Sequence, residues 1–376
     1  MKQKRAFIPI AHPDLHGNEA KYVESCLSSS WISSKGNFIT KFEEQFAKYI
    51  GTKYAIAVSN GTVALHLSLV GLGIGKGDEV LIPDLTFVAT ANAVTFTGAT
   101  PVFIDVDDSS WGISPQMLEK KVTKHTKAII VVHLYGRPAD MESIIPIAQK
   151  FNLKIIEDAA EAHGAEVSLK NKNKTNWKKV GSIGDVGCFS FYGNKIITTG
   201  EGGMITTNNS SLVEKMRMLR NHGQDLKRQY YHSVVGFNYR MTNIQAALGC
   251  AQLERIDQFL QKRVLIAQKY TMKLKDIPGI IPHPRKAGER SVYWMYSILV
   301  RKPYSLTSDK LMKNLGKENI ETRPFFYPLH ILPPYRMKGE FPVSNYLSRH
   351  GVSLPSSVFL RNEEIEVIAA IIRKYA

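Results

Sequence analysis

Between about residues 40 and 160, short runs rich in Val and Ile alternate with helical stretches, and this rhythm limits the possible folds more than any other feature. Tyr54 to Val58 is followed by a helix from Thr62, Glu79 to Ile82 by one near Phe87 to Thr97, and Val102 to Val106 by Met117 to Val122. Ala128 to His133 comes next, then a helix near Met141 to Phe151, then Leu153 to Glu157. None of the apolar runs alternates cleanly with polar residues, so each predicts a strand buried on both faces. Their regular interleaving with helices predicts an α/β domain around a mostly parallel sheet. Ligands of such sheets collect at the carboxyl ends of the strands. The polar residues that follow the apolar runs are therefore the ones to read for chemistry.

Beyond residue 180 the pattern changes. Gly187 to Tyr192 and Met204 to Thr207 read as two further strands, and Thr242 to Arg263 as one long connecting helix. A strand at Val292 to Val300, a helix near Thr307 to Leu315 and a closing helix from Glu363 to Tyr375 complete the chain. The division expected is a large α/β domain over 36–263, a smaller α+β C-terminal domain over 264–376, and an N-terminal segment, 1–35, packing with the smaller one. With 44% hydrophobic and 22% charged residues among 376, disorder is excluded. Cys26, Cys188 and Cys250 are too far apart for a zinc ribbon or a paired redox motif, which predicts a reducing compartment and no metal site. Met1 to Arg5 leads into an apolar patch broken by Pro9 and Pro13, unlike a signal peptide, and no apolar run approaches the roughly 20 residues of a membrane span. A cytoplasmic protein without membrane contact is the expectation.

Lys and Arg number 49 against 33 Asp and Glu, a formal charge of +16. The densest run, Lys170 to Lys179, holds five lysines and no acid, and reads as a polar loop beside the cleft. The rest of the positive charge is scattered, without an arginine stripe or an aromatic platform for bases. Nucleic acid is therefore not an expected partner, and a nucleic-acid-binding role through the basic loop is the rival from another functional class.

Three strand ends carry chemistry. Ser59-Asn60-Gly61-Thr62 joins a buried strand to a helix, where backbone amides and a glycine form an anion cradle, although a plain helix cap has the same outline. Ile155 to Gly164 is a strand that ends in Glu157 and Asp158 and continues through Glu161 and His163. Asp158 is placed to hold a protonated ring nitrogen, or else to form a capping box with Glu161. Cys188 to Lys195 puts one lysine between an apolar strand and a Thr/Gly-rich turn, where an amine loses solvent and its pKa falls toward nucleophilicity. A phosphate cradle, a strand-end aspartate and a lysine, in that order on an α/β sheet, are what pyridoxal phosphate requires.

These residues, with Ser30 to Asn37, Ser59 to His66, Gly193 to Gly203, Tyr239 to Asn243 and Glu321 to Pro324, make the chain resemble the DegT/DnrJ/EryC1/StrS family of nucleotide-sugar aminotransferases, over nearly its whole length. The resemblance implies the fold type I aminotransferase architecture and pyridoxal 5'-phosphate as cofactor. It makes Lys195 the lysine that bonds the cofactor and Asp158 the partner of the pyridine nitrogen. Gly61, Thr62 and Val63 would hold the phosphate from one side and Ser190 from another, and Phe87 would stack on the ring unless it is an ordinary core residue. Glu161 stands where many relatives have Gln against the ring hydroxyl; the perosamine-forming branch resembles this chain in having Glu. Asn238 matches a position that reaches the neighbouring subunit's cofactor phosphate, which implies a homodimer with shared active sites, and it is also placed to cap the helix near Thr242. Trp31, His163, Arg323, Tyr327 and His330 are the candidates for the sugar nucleotide, His163 serving equally well as a structural histidine.

The implied reaction converts a nucleotide-linked 4-keto-6-deoxyhexose to the 4-amino-4,6-dideoxyhexose with L-glutamate as donor, for surface glycans. Amination at C3 is a rival within the family. The related 3-dehydratases carry His in place of the lysine, so Lys195 argues against that branch.

Overall fold

The computed structural model describes residues 5–171 and 174–376. Met1 to Lys4, on which part of the N-terminal reading rests, and Lys172 and Asn173 of the basic run lie outside the described residues. In chain order the strands are β1 Tyr54–Val58, β2 Glu79–Pro83, β3 Thr100–Ile104, β4 Thr126–Val132, β5 Lys154–Asp158, β6 Glu166–Asn171, β7 Lys174–Lys179, β8 Val186–Ser190, β9 Gly203–Thr207, β10 Ile280–Ile281, β11 Glu289–Arg290, β12 Tyr296–Val300, β13 Arg323–Pro324 and β14 Gly351–Leu354. The helices are α1 Glu19–Ser28, α2 Asn37–Ile50, α3 Gly61–Gly71, α4 Ala89–Phe96, α5 Pro115–Lys120, α6 Met141–Lys150, α7 Ser210–Arg220, α8 Asn243–Leu253, α9 Ile256–Leu274, α10 Ser308–Lys317, α11 Pro342–His350 and α12 Asn362–Arg373.

Seven strands form the central sheet in the order β1-β9-β8-β5-β4-β2-β3. The β3-β2-β4-β5-β8 run is parallel, and β9 enters antiparallel between β8 and β1. As the Val/Ile runs predict, Ile56 to Val58, Val80 to Ile82 and Ala128 to Val131 are completely buried. Because β1, β2, β3, β4, β5 and β8 point the same way, Ser59, Asp84, Asp105, His133, Asp158 and Ser190 emerge along one edge. A second, antiparallel sheet, β10-β12-β14-β13, is built from the C-terminal third.

Residues 8–10 pair with this C-terminal sheet region: the Ile8 amide donates to the Asn319 carbonyl at 2.9 Å and the Ile10 amide to Glu321 Oε2 at 2.9 Å. From α1 onward the N-terminal segment turns instead to α8, where Asn243 Nδ2 donates to the Trp31 carbonyl at 2.7 Å. The single helix expected over Thr242 to Arg263 is two. Residues near its middle are pulled to the N-terminal segment, Gln252 Nε2 donating to the Asp14 carbonyl at 2.7 Å and Arg255 forking onto both Asp14 carboxylate oxygens at 2.9 and 3.0 Å. Arg255 leaves helical geometry there, at φ −114° and ψ 3°.

The basic run is not a loop. Its described residues form an antiparallel hairpin, β6 with β7, extended by β11 into a three-stranded sheet. Trp177 supports it by lying under the Arg290 guanidinium, 4.0 Å away. Lys179 at its base donates to the Tyr49 carbonyl at 2.8 Å, at the end of α2. No hydrogen bond or ion pair joins hairpin residues 166–169 or 175–179 to Asp158, Lys195 or the Asn60 turn. Among the described residues, no helix is long and apolar enough to cross a membrane.

Candidate active site

The strand-end edge begins with the turn from β1 into α3. Asn60 caps α3: its side chain accepts from the Val63 amide at 2.9 Å and its carbonyl from the Ala64 amide at 3.1 Å. Helix capping and anion binding, posed as alternatives by the sequence, coexist here. With Val63 committed to the cap, the amides of Gly61 and Thr62 donate to no partner among the described residues, and the cradle narrows to these two. Ser190, closing β8, faces them. A Cβ on Gly61 would lie 2.8 Å from Ser190 Cβ, so only glycine lets the two turns meet.

At the end of β5, successive residues point to opposite faces and take different work. Glu157, fully buried, accepts from the amides of Gly181, Ile183 and Gly184 at 2.7–2.8 Å and fastens the turn before β8. Asp158 accepts from Thr90 Oγ1 at 2.9 Å and from the Ala160 amide at 3.3 Å. Burial raises its pKa, with Thr90, Ala160 and Lys195 pulling the other way. No helix follows, so the capping-box alternative falls. Glu161 instead reaches across to the Tyr135 amide at 2.7 Å, at the end of β4, where Tyr135 has a positive φ of 54°.

Lys195 completes the centre. Its side chain is 13% exposed, with Nζ 3.8 Å from Glu161 Oε1 and 4.0 Å from the centre of the Trp294 ring. Burial holds its ammonium below the ordinary lysine range; Glu161 and Asp158 pull it back up, and Arg323 adds to the fall. The same burial lifts the Glu161 carboxyl to about 7, against the pull of Lys195 and the Tyr135 amide. A desolvated amine, two buried carboxylates and two free helix amides thus share one strand-end edge. The set suits a planar cofactor with a phosphate, a basic ring nitrogen and a carbonyl carbon.

The remaining candidates are distributed unevenly. Phe87 is 55% exposed, with its ring 5.7 Å from that of Phe326, and so is not a core residue. Arg323 lies within electrostatic reach of Lys195 and pairs loosely with Glu321 at 3.6 Å. Tyr327 is exposed, whereas His330 is buried, its amide donating to Asp84 Oδ1 at 2.9 Å and its Nδ1 lying 2.7 Å from Oδ2. His163 takes the structural role and not the sugar-binding one. It is fully buried among Phe46, Phe189 and Phe191, its ring nitrogens have no partner among the described residues, and burial drops its pKa to about 3. A neutral ring enclosed by phenylalanines has no path to a sugar. Trp31 and Asn238 are exposed, and their hydrogen bonds go to Asn243 and Arg240, not to Lys195. Asn238 Oδ1 accepts from Arg240 Nη2 at 3.1 Å, and the cap of α8 belongs to Thr242 with Gln245, not to Asn238.

Sequence reasoning missed Thr90, Tyr135 and Trp294. Tyr135 could have been found as a residue following a buried strand, and Thr90 as one in the first turn of the next helix. Trp294 carried no signal, because it reaches the site from a strand region about 100 residues further along the chain.

The family model for DegT/DnrJ/EryC1/StrS aminotransferases matches residues 13–373. The chain is 48% identical over 369 residues to the GDP-perosamine synthase of Caulobacter vibrioides, covering 97% of each, and 46% identical over 370 residues to that of Escherichia coli O157:H7, covering 98% of each. The crystal structure of S. venezuelae DesV superposes with a TM-score of 0.91 at 31% identity, covering 99% of each chain. Fold, coverage and site geometry agree with the fold type I architecture, and the chain belongs to the DegT/DnrJ/EryC1/StrS aminotransferase family, as a transaminase dependent on pyridoxal 5'-phosphate.

Proposed function

We propose that this enzyme moves the amino group of L-glutamate to C4 of a nucleotide-linked 4-keto-6-deoxyhexose, giving a 4-amino-4,6-dideoxyhexose for a surface glycan. The observation that carries the reading is the desolvated Lys195 amine between Glu161 and Trp294, in a chain 48% identical to a GDP-perosamine synthase along 97% of its length. The cofactor, when bound, supplies an electron sink and carries the amino group between the two half-reactions. Lys195 is the proton carrier: it takes the proton from the amino-acid α-carbon in one half-reaction and delivers one to the sugar C4 in the other. Asp158 keeps the ring nitrogen protonated, the Gly61 and Thr62 amides with Ser190 hold the phosphate, and Phe87 covers the ring face. Glu161, when protonated, donates to the ring hydroxyl.

Arg323, Tyr327 and Trp31 are the groups for the sugar nucleotide, with His330 as a fixed wall held by Asp84. A homodimer completes the site. Support for it comes from the loop before Asn238, which exposes Leu226, Tyr230, Tyr231, Val234 and Val235 together, apolar surface of the kind that a second subunit covers. The work is cytoplasmic, where nucleotide sugars and reduced cysteines belong. The test is incubation of purified enzyme and glutamate with 4-keto-6-deoxyhexoses on GDP, UDP and dTDP, followed by NMR of the product. A new C4–N bond is expected, with GDP the first nucleotide to try. Nitrogen at C3, or loss of the C3 hydroxyl, would overturn the assignment.

A further inference from the structure

Trp294 is placed with unusual care for a residue outside the motifs. It is 5% exposed, its indole N–H donates to the Asn194 carbonyl at 2.8 Å, and its own carbonyl accepts from Arg263 Nη1 at 2.9 Å. Tyr135 lies nearly parallel to it, at 19° and 6.4 Å between ring centres. Two of these contacts hold the indole and the third holds its backbone, with one ring face toward Lys195, whose Nζ sits 4.0 Å from the ring centre. The carbonyl it holds belongs to the residue immediately before Lys195, so the platform and the lysine backbone are tied to each other. This geometry is that of the free lysine, the form Lys195 takes whenever it is not bonded to the cofactor.

We propose that Trp294 is the positioning residue for free Lys195, a π-face on which the amino group rests, opposite Glu161, during the part of the cycle when the lysine carries protons. The charged groups acting on Lys195 are Glu161 and Asp158, which favour its ammonium, and Arg323, which opposes it; the buried His163 is neutral. The indole face adds an attraction for the cation that strengthens as solvent is removed. The inference rests on Lys195 being the reacting lysine and not on the identity of the sugar.

The test uses enzyme converted by glutamate to the amine form of its cofactor, in which Lys195 is free. Trace labelling with acetic anhydride across a range of pH, read by peptide mass spectrometry, gives the pKa of Lys195 itself. In Trp294→Met, which fills the space without a π-face, that pKa is expected to fall by about one unit; in Trp294→Phe, a weaker face, by a few tenths. Phe also loses the bond to Asn194, so its kcat falls while KM for glutamate holds. A Lys195 profile unmoved in Met, or moved as far in Phe as in Met, overturns the inference. Should Met not fold, an unmoved profile in Phe with unchanged kcat does the same. Lys195 labelling that is equal in the amine and aldehyde forms of the enzyme would instead overturn the assignment of the lysine, which keeps the two failures apart.

Discussion

Replacing Glu161 by Gln tests the electrostatics of the site without touching its shape. Burial is the largest cause lifting this carboxyl from 4.5 to about 7. Between those values the folded protein holds a proton that the unfolded chain has released. Its contribution to stability is therefore full below 4.5 and is lost as pH rises through about 7. The separation of about 2.5 pH units, at about 1.4 kcal/mol each, is worth about 3 kcal/mol, of which about 2.5 kcal/mol falls between about pH 5 and about pH 8. With an unfolding entropy of about 2 cal/mol/K per residue, a chain of this length converts that into about 3 °C of melting temperature. Thermal scans of cofactor-stripped wild type and Glu161→Gln at the two pH values give a double difference in which constant effects of the substitution cancel. Wild type is expected to lose about 3 °C more than the variant on going from the lower to the higher pH. Equal losses would show that Glu161 does not titrate in this window, and would refute burial as the force acting on it.

Lys195→Ala is expected to melt like wild type yet show no turnover and no covalent capture of cofactor on borohydride reduction; turnover in it would remove Lys195 from the reaction. Thr90→Val deletes the hydroxyl that donates to Asp158 Oδ2 at 2.9 Å, one of the groups holding that carboxylate ionised. Its kcat should drop by about tenfold with little change in melting, the size of one hydrogen bond to a charged group. His163→Leu replaces a buried, unpartnered ring by an apolar side chain, so KM for the sugar nucleotide should stay unchanged and the melting temperature should hold or rise. A KM increase in that variant would return His163 to the substrate site.

The parts legible in the sequence are those whose cause is local. Buried strands announce themselves by runs such as Ile155-Ile156, and a parallel strand fixes where its next polar residue emerges; Asp158 is legible from that and Lys195 from the turn after β8, whereas Ser190 is marked only by the family resemblance. Misreadings came where a distant partner decides. Thr242 to Arg263 has helical periodicity throughout, yet Asp14, some 240 residues earlier, draws Arg255 out of line through two charge-assisted bonds. The lysine run has the composition of a solvated loop, but the pairing of β6 with β7 satisfies the backbone while the side chains of Thr175 to Lys178 stay exposed.

His163 and Trp294 show the same limit from opposite sides. His163 stands five residues after Asp158, and adjacency in sequence suggested adjacency in function, whereas the turn carries it beneath the sheet into the Phe46, Phe189 and Phe191 cluster. Trp294 is far from every motif, yet its ring is as close to the Lys195 amine as the Glu161 carboxylate is. A lysine can be given an environment only by groups brought around it in three dimensions. Its strand supplies the position, while the desolvation, the neighbouring carboxylate and the aromatic face come from β4, β5 and the C-terminal sheet region. A sequence therefore reveals which residue reacts more readily than it reveals what makes that residue reactive.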